Sequence, residues 1–121
     1  MPVIGVGVDV CSIDRVETML ARTPATAERL FTAGELSYAE GSTRSARLAA
    51  RFAAKEATAK SLGGVDGMTW HDVEVVGDGG APTLLVTGSA AARAHALGVR
   101  RWHLSLSHDA GVAVAMVVAE G

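Results

Sequence analysis

The segment that most constrains the fold is 51–64, which reads Arg-Phe-Ala-Ala-Lys-Glu-Ala-Thr-Ala-Lys-Ser-Leu-Gly-Gly. It is rich in Ala, Lys and Glu, contains no proline and ends in two glycines, which predicts a helix closed by a glycine C-cap. At about 100° per residue, Leu48, Phe52, Ala59 and Leu62 share one arc, which we expect to be buried. We therefore predict one long central helix on which the other elements pack.

Charged side chains interrupt this apolar arc. Lys55 lies inside it, Glu56 lies at its edge, and Lys60 follows one turn later. A charge in an apolar stripe is costly unless a partner compensates it. In one interpretation Lys55 extends its ammonium to solvent and Glu56 and Lys60 form an ordinary surface pair. On this helix alone that interpretation is preferred, and the alternative is a functional site.

Length and composition predict a single domain, residues 1–121, with a thin core. Hydrophobic residues make up 49% of the chain but aromatic residues only 4%, so the core is built mainly from Ala, Val and Leu. Such a core buries little area per residue, which favours an oligomer.

Charge and cysteine content limit the classes of function. A net charge of −2 argues against general nucleic-acid binding, and a single cysteine excludes a disulfide framework and fits a reducing compartment. The first residues contain neither a basic segment nor a long apolar run, so we expect no signal peptide and no membrane span. The predicted location is the cytoplasm.

The first predicted strand, residues 4–10, has two different faces. Gly5, Gly7 and Asp9 share one face, and the aliphatic residues between them share the other. Two glycines allow a backbone or a ligand to approach this face closely, although an edge strand ending in a turn-forming Asp has the same pattern. Ser12 or Asp14 then caps a predicted helix.

The remaining chain contains further short helices and two hairpins. Residues 70–76 and 83–86 alternate as strands around a turn at 77–80, with Pro82 at the start of the second strand. After a short helix capped by Ser89, residues 102–108 and 112–119 form the second hairpin. This order predicts an α+β fold with an antiparallel sheet.

Two carboxylates from different elements, Asp9 and Glu56, are the pair that Mg²⁺ prefers when water and phosphate oxygens complete its shell. Four cations between positions 44 and 55, among them Arg44 and Arg47, are either a phosphate site or solvated surface charge. His108 ends its strand beside Asp109. A lone His there is more often structural than catalytic, and the histidine spacing does not suggest a zinc site.

Two motifs resemble the signatures of the 4′-phosphopantetheinyl transferases. They are residues 5–9 (Gly-Val-Gly-Val-Asp) with Arg15, and residues 51–57 (Arg-Phe-Ala-Ala-Lys-Glu-Ala) with Lys60. The chain length is similar to that of the short subclass of this family, as are Phe31, Thr32 and Glu35, residues 80–82, and residues 105–108. The resemblance implies the transferase fold, an antiparallel sheet packed against helices around one long central helix.

The resemblance also implies an activity: Mg²⁺-dependent transfer of 4′-phosphopantetheine from coenzyme A to a serine of apo acyl carrier protein, with release of adenosine 3′,5′-bisphosphate. On this basis Asp9 and Glu56 correspond to the metal ligands and Lys60 to the lysine at the pyrophosphate. Arg51 and His108 correspond to residues around the phosphates of the coenzyme.

The family pattern extends the predicted site. We expect Lys55 and Pro82 at the coenzyme as well. Glu56, a water that it polarises, and the pair His108 and Asp109 remain alternatives for the general base, with Lys60 also in the catalytic set.

Arg15 and Met19 correspond to the helix that docks the acidic carrier protein. The short members are trimers with active sites between subunits, so we expect a homotrimer. Larger relatives carry a second acid where this chain has Cys11, and a metal-bound water is expected to replace that ligand. Two other functions stay open: a Mg²⁺-dependent phosphohydrolase, and a trimeric scaffold for an acidic helical partner.

Overall fold

The computed structural model describes residues 2–77 and 80–121. The elements follow in this order: β1 (Val3–Ser12), α1 (Ile13–Arg22), α2 (Ala25–Leu30), α3 (Ala33–Ala39), α4 (Arg44–Ser61), a short 3₁₀ turn (Trp70–Asp72), β2 (Val73–Val76), β3 (Thr83–Val86), α5 (Gly88–Leu97), β4 (Arg101–Asp109) and β5 (Val112–Glu120). The predicted α+β class is confirmed. Asp78 and Gly79, in the predicted turn between β2 and β3, lie outside the described residues.

Two antiparallel sheets form. The larger has the order β1-β5-β4, and β2 and β3 form a separate two-stranded hairpin. Because β5 is the central strand, Asp9 on β1 is paired with Ala115, and His108 on β4 is paired with Ala113. β5 therefore separates the strand that carries Asp9 from the strand that carries His108.

Glycines on β1 allow α4 to lie directly on the sheet. A Cβ atom added to Gly5 would lie 1.8 Å from the carbonyl oxygen of Ser61, and one added to Gly7 would lie 1.8 Å from that of Ala57. These separations are far below van der Waals contact, so only glycine permits the observed packing. The close approach that the sequence predicted on this face is that of the helix backbone.

The long helix is buried on more than one arc. Leu48 and Leu62 are buried as predicted, whereas Phe52 and Ala59 are only partly buried. Small residues extend the buried surface around the helix because α4 packs against the sheet, α1, α3 and the β2–β3 hairpin; these residues are Ala49, Ala50, Ala53, Ala54 and Ala57. The predicted single apolar stripe was therefore too narrow.

Helix ends agree in part with the sequence. The hydroxyl of Ser12 accepts a hydrogen bond from the amide of Arg15 (3.2 Å), which confirms the predicted cap of α1. Gly63, with φ of 73°, follows the last turn of α4 in the left-handed conformation expected of a C-terminal glycine. The prediction for Ser89 was wrong, because α5 begins at Gly88 and the amide of Ser89 donates to the Asp72 carboxylate instead.

The face of the larger sheet opposite α4 is apolar and exposed. Val6, Val8 and Val10 on β1 are 54%, 55% and 61% exposed, and Met116 on β5 is 46% exposed. Within residues 2–77 and 80–121, no helix is both long enough and apolar enough to cross a membrane.

Candidate active site

A groove of about 380 Å³ opens where the end of β1 and the start of α1 lie against α4. Two of its residues are the predicted metal ligands and two are the predicted docking residues. The lining consists of Asp9, Val10, Cys11, Ser12, Arg15, Val16, Met19, Phe52 and Glu56. Packing of α4 against β1 thus brings together two sets of residues that are far apart in the sequence.

Lys60 contacts β1 rather than its neighbour on the helix. Its Nζ atom lies 3.0 Å from Oδ1 of Asp9 and donates to the carbonyl oxygen of Val8 at 3.1 Å. Lys60 therefore pairs with Asp9, and the surface pair of Lys60 with Glu56 that the sequence suggested is not among the ion pairs of residues 2–77 and 80–121. The ammonium lies beside the carboxylates at the rim of the groove, where it can meet an anionic substrate.

Glu56 is close enough to Asp9 for the two charges to interact. Burial raises the pKa of Glu56 above its ordinary value, the negative charge of Asp9 raises it further, and Lys60 opposes both effects. A cation placed between the two carboxylates would relieve this repulsion. The electrostatics of the groove thus favour a bound cation.

The donor set fits Mg²⁺. No group of three or more His, Cys, Asp or Glu side chains in the described part of the chain is arranged to hold a metal ion. Two carboxylates leave most of an octahedral shell to water and phosphate oxygens, which is the usual arrangement for Mg²⁺. Burial and the charge of Asp9 raise the pKa of the Cys11 thiol, and a sulfur ligand is in any case a poor match for a hard cation.

Arg51 of α4 and Pro82 of the β2–β3 connection both lie near Gly77. A Cβ atom added to Gly77 would lie 3.8 Å from Cα of Pro82 and 4.0 Å from Nη2 of Arg51. Arg51 is only 4% exposed and its guanidinium stacks on the ring of Tyr38, 4.3 Å from the centroid. Its Nε atom is buried without a hydrogen-bond partner among residues 2–77 and 80–121.

The predicted cation cluster divides into separate contacts. Arg47 donates to the carbonyl oxygen of Tyr38 at 3.2 Å and lies over the same ring as Arg51. Lys55, in contrast, has no exposed surface and lies 2.7 Å from Oε1 of Glu35, which is also fully buried. A side chain without exposed surface has no atom accessible to a ligand, so buried Lys55 does not fit the direct contact with the coenzyme that the family pattern predicted.

The sequence did not indicate that Glu35 forms an ion pair with Lys55. A capping-box spacing was present, because Thr32 and Glu35 are three residues apart at the start of α3, and both reciprocal bonds form. That signal places Glu35 at a helix start. Nothing local indicates that its carboxylate also compensates Lys55, which lies on another helix.

His108 and Asp109 lie at the exposed end of β4, outside the groove of the same chain. In register, His108 is separated from Cys11 of β1 by Ala113 of β5. Within one chain, His108 and Asp109, the alternative candidates for the general base, therefore do not lie against the two carboxylates.

Arg15 and Met19 lie on the accessible side of α1, where Arg15 is exposed and Met19 is partly buried. Both also line a shallower depression that continues along α1 with Asp14, Thr18 and Arg22. The predicted docking residues thus join a helix surface to the groove of the carboxylates.

Comparison with known proteins identifies the same family that the two sequence motifs resemble. The model of the 4′-phosphopantetheinyl transferase superfamily matches residues 5–117. The holo-[acyl-carrier-protein] synthase of Frankia casuarinae is 61% identical over 121 residues, which cover 99% of each chain. The Streptomyces avermitilis protein of the same name is 60% identical over 123 aligned positions, covering both chains completely.

Solved structures of holo-[acyl-carrier-protein] synthases have a similar fold. The Neisseria meningitidis holo-[acyl-carrier-protein] synthase superposes with a TM-score of 0.88 at 30% identity, covering 99% of this chain and 100% of the other. The Helicobacter pylori synthase in complex with coenzyme A has a TM-score of 0.83 at 28% identity, covering 95% and 99%. The chain belongs to the 4′-phosphopantetheinyl transferase superfamily and, within it, to the family of the holo-[acyl-carrier-protein] synthases.

Proposed function

We propose that this protein transfers 4′-phosphopantetheine from coenzyme A to a serine hydroxyl of apo acyl carrier protein, in a Mg²⁺-dependent reaction that releases adenosine 3′,5′-bisphosphate. The observation that carries the proposal is the shared groove, in which Asp9 and Glu56 lie beside Arg15 and Met19. A metal–phosphate site that adjoins a surface for a protein partner is what transfer from a nucleotide to a protein requires. Family membership supports the same reaction.

Asp9 and Glu56 are the residues that would hold the ion. In that position Mg²⁺ would supply the positive charge that neutralises and orients the pyrophosphate of the coenzyme. Lys60 is held beside Asp9 by the carbonyl oxygen of Val8, and its ammonium is positioned to donate to a pyrophosphate oxygen. The serine oxygen bonds to the phosphorus that bears the pantetheine, and the bond to the leaving phosphate of adenosine 3′,5′-bisphosphate breaks.

The serine must also lose its proton. Glu56 can accept it, directly or through a water that it polarises, because its carboxylate lies in the groove. The exposed His108 and Asp109 are the alternative. Either assignment suits a phosphoryl transfer with a loose transition state, which needs only modest assistance from a base.

The coenzyme site is proposed to lie between subunits of a homotrimer. Arg51 of α4 and Pro82 both lie near Gly77 of the β2–β3 hairpin, whereas His108 lies near the end of β4. We assign His108 to the site of a neighbouring subunit. The exposed valines of β1 and Met116 form an apolar sheet face of the kind that subunit interfaces cover.

The carrier protein is proposed to dock on α1. Arg15 would meet its carboxylates and Met19 would supply an apolar contact beside the groove. Attraction between opposite charges accelerates association of such partners. We further propose that the enzyme works in the cytoplasm, since the one cysteine fits a reducing compartment, and that its carrier protein serves fatty-acid biosynthesis, with polyketide synthesis as the alternative.

A direct test is the mass spectrum of apo acyl carrier protein after incubation with coenzyme A, Mg²⁺ and the protein. We expect the carrier to gain the mass of one phosphopantetheine group, with an equal amount of adenosine 3′,5′-bisphosphate released. Release of nucleotide without modification of the carrier would instead identify a hydrolase. Binding of the carrier without any turnover would identify a scaffold.

A further inference from the structure

A buried ion pair joins α4 to α3 beneath the β2–β3 hairpin. Nζ of Lys55 lies 2.7 Å from Oε1 of Glu35, and neither side chain has exposed surface. Burial lowers the pKa of Lys55, while the carboxylate of Glu35 opposes this effect. Buried ion pairs contribute little net stability compared with an apolar pair of the same volume, so their presence invites a positional explanation.

Both members of the pair also bind the segment that leads into the hairpin. The Lys55 ammonium donates to the carbonyl oxygen of Trp70 at 3.0 Å and to that of Val73. Oε2 of Glu35 accepts the amide of Val75 at 2.9 Å. These contacts attach the 3₁₀ turn and β2 to two helices through buried polar groups.

Contacts with other elements hold the hairpin, and they include apolar packing of Val75 against Ala53 and Ala54 as well as these polar bonds. β2 and β3 pair only with each other among the described strands and form no ladder with the larger sheet. A two-stranded ribbon is marginally stable by itself. One further polar contact, from the Thr32 hydroxyl to Oε2 of Glu74 at 2.7 Å, leads from the start of α3 to the same strand.

Lys55 lies one turn after Arg51 on α4, and the hairpin that it anchors carries Gly77 and Pro82. The position of the hairpin therefore sets the distance between Arg51 and Pro82, since a Cβ atom added to Gly77 would lie within 4.0 Å of both residues. A hairpin displaced along α4 would separate two groups that we place at the coenzyme.

We propose that Glu35 and Lys55 are positioning residues, which hold the β2–β3 hairpin against α4 so that Arg51 and Pro82 together bind coenzyme A. The inference rests on the proposed function for the identity of the ligand. It gives the buried lysine of the signature segment 51–57 a function that involves no contact with the substrate.

The test removes both charges together. Single substitutions would leave one buried charge unpaired, so the informative variant is Glu35→Leu with Lys55→Met, which keeps comparable volumes without either charge. A second variant, Glu35→Gln with Lys55→Met, also leaves no buried charge unpaired and keeps the shape of the side chain at position 35. The matched control is Glu40→Gln with Arg29→Met, which removes one acid and one base at exposed positions.

Calorimetric titration with coenzyme A, after circular dichroism has established folding, measures affinity without any need for turnover. We expect the double variant to bind coenzyme A at least tenfold more weakly than the control. In steady-state assays the KM for coenzyme A should rise by the same factor, while kcat and the KM for the carrier protein stay within about threefold.

Hydrogen exchange gives a readout that is independent of the ligand. The amides of Val73–Val76 should exchange at least tenfold faster in the double variant, whereas those of Val112–Glu120 should keep their protection. Unchanged coenzyme affinity, or faster exchange spread evenly over both segments, would overturn the proposal. If the unmodified protein proves not to transfer phosphopantetheine, the titration and the exchange still decide the question, so the two proposals fail separately.

Discussion

The ammonium of Lys60 on α4 lies 3.0 Å from Oδ1 of Asp9 on β1, so one side chain bridges the two elements that form the groove. Lys60 is 55% exposed and Asp9 is 17% exposed, which places this pair at the rim. Because Lys60 compensates Asp9, Glu56 is the less compensated carboxylate, in agreement with its raised pKa. A metal ion bound at Asp9 would therefore share this carboxylate with the ammonium of Lys60.

This competition predicts opposite effects on metal binding and on turnover. In Lys60→Met, Mg²⁺ alone should bind several-fold more tightly, because a neighbouring positive charge is removed. Turnover should fall by about 100-fold, because the pyrophosphate loses a charged donor. Calorimetric titration with Mg²⁺ and a single-turnover assay measure the two effects, with Lys60→Arg as the control that keeps the charge. Weaker metal binding in Lys60→Met would contradict this arrangement.

The two carboxylates should be essential. Asp9→Ala and Glu56→Ala are each expected to reduce turnover by about 100-fold or more at ordinary Mg²⁺ concentrations, because one of two protein ligands is lost. Glu40→Ala, which removes an exposed carboxylate, is the control and should leave metal dependence intact. Near-normal activity of either variant would refute the metal assignment. Glu35→Ala is unsuitable as a control, since it leaves Lys55 unpaired in the core.

Charge reversal on α1 should weaken binding of the carrier protein and leave binding of coenzyme A unchanged. We expect Arg15→Glu to raise the KM for the carrier by about tenfold or more, since repulsion slows association with an acidic partner. The Kd for coenzyme A, measured by calorimetry, should not change. Arg29→Glu, an exposed position on α2, is the matched control. A parallel loss of coenzyme affinity would place Arg15 at the nucleotide instead.

A shared site can be tested by mixing inactive variants. Glu56→Ala and His108→Ala are unfolded together in equal amounts and refolded, and roughly a quarter of the sites should become whole if the two groups come from neighbouring subunits. Glu56→Ala mixed with Asp9→Ala is the control, because both carboxylates line one groove of a single chain and no mixed site is whole. Mixed trimers without recovered activity would show that His108 serves its own subunit. The assay requires His108→Ala to be nearly inactive alone.

Packing of α4 on β1 should tolerate no side chain at Gly7. A Cβ atom there would lie 1.8 Å from the carbonyl oxygen of Ala57, so Gly7→Ala must displace the helix or the strand. We expect a loss of about 3 kcal/mol or more in the free energy of unfolding, measured by urea denaturation. Gly80→Ala has open space around it and should change stability by less than about 0.5 kcal/mol. Equal effects of the two substitutions would contradict the packing.

Local sequence signals determined most of the elements. The composition of segment 51–64 and its two terminal glycines predicted α4, Ser12 predicted the start of α1, and alternation predicted the strands. The glycine face of β1 predicted a close approach of a backbone or a ligand. These predictions succeeded because capping, strand alternation and glycine conformation act within a few residues.

Only the tertiary structure decided which partner each charge has. Lys60 lies against Asp9 rather than Glu56, Lys55 is neutralised by Glu35, and His108 stays outside the groove of its own chain. Each outcome depends on how α4 is seated on the sheet and under the hairpin, which brings together residues from distant parts of the chain. The position of a residue in the sequence determines which face of its helix or strand the side chain occupies. The electrostatic energy of a charge also depends on its distance from charges on other elements, and only the packing of those elements sets that distance.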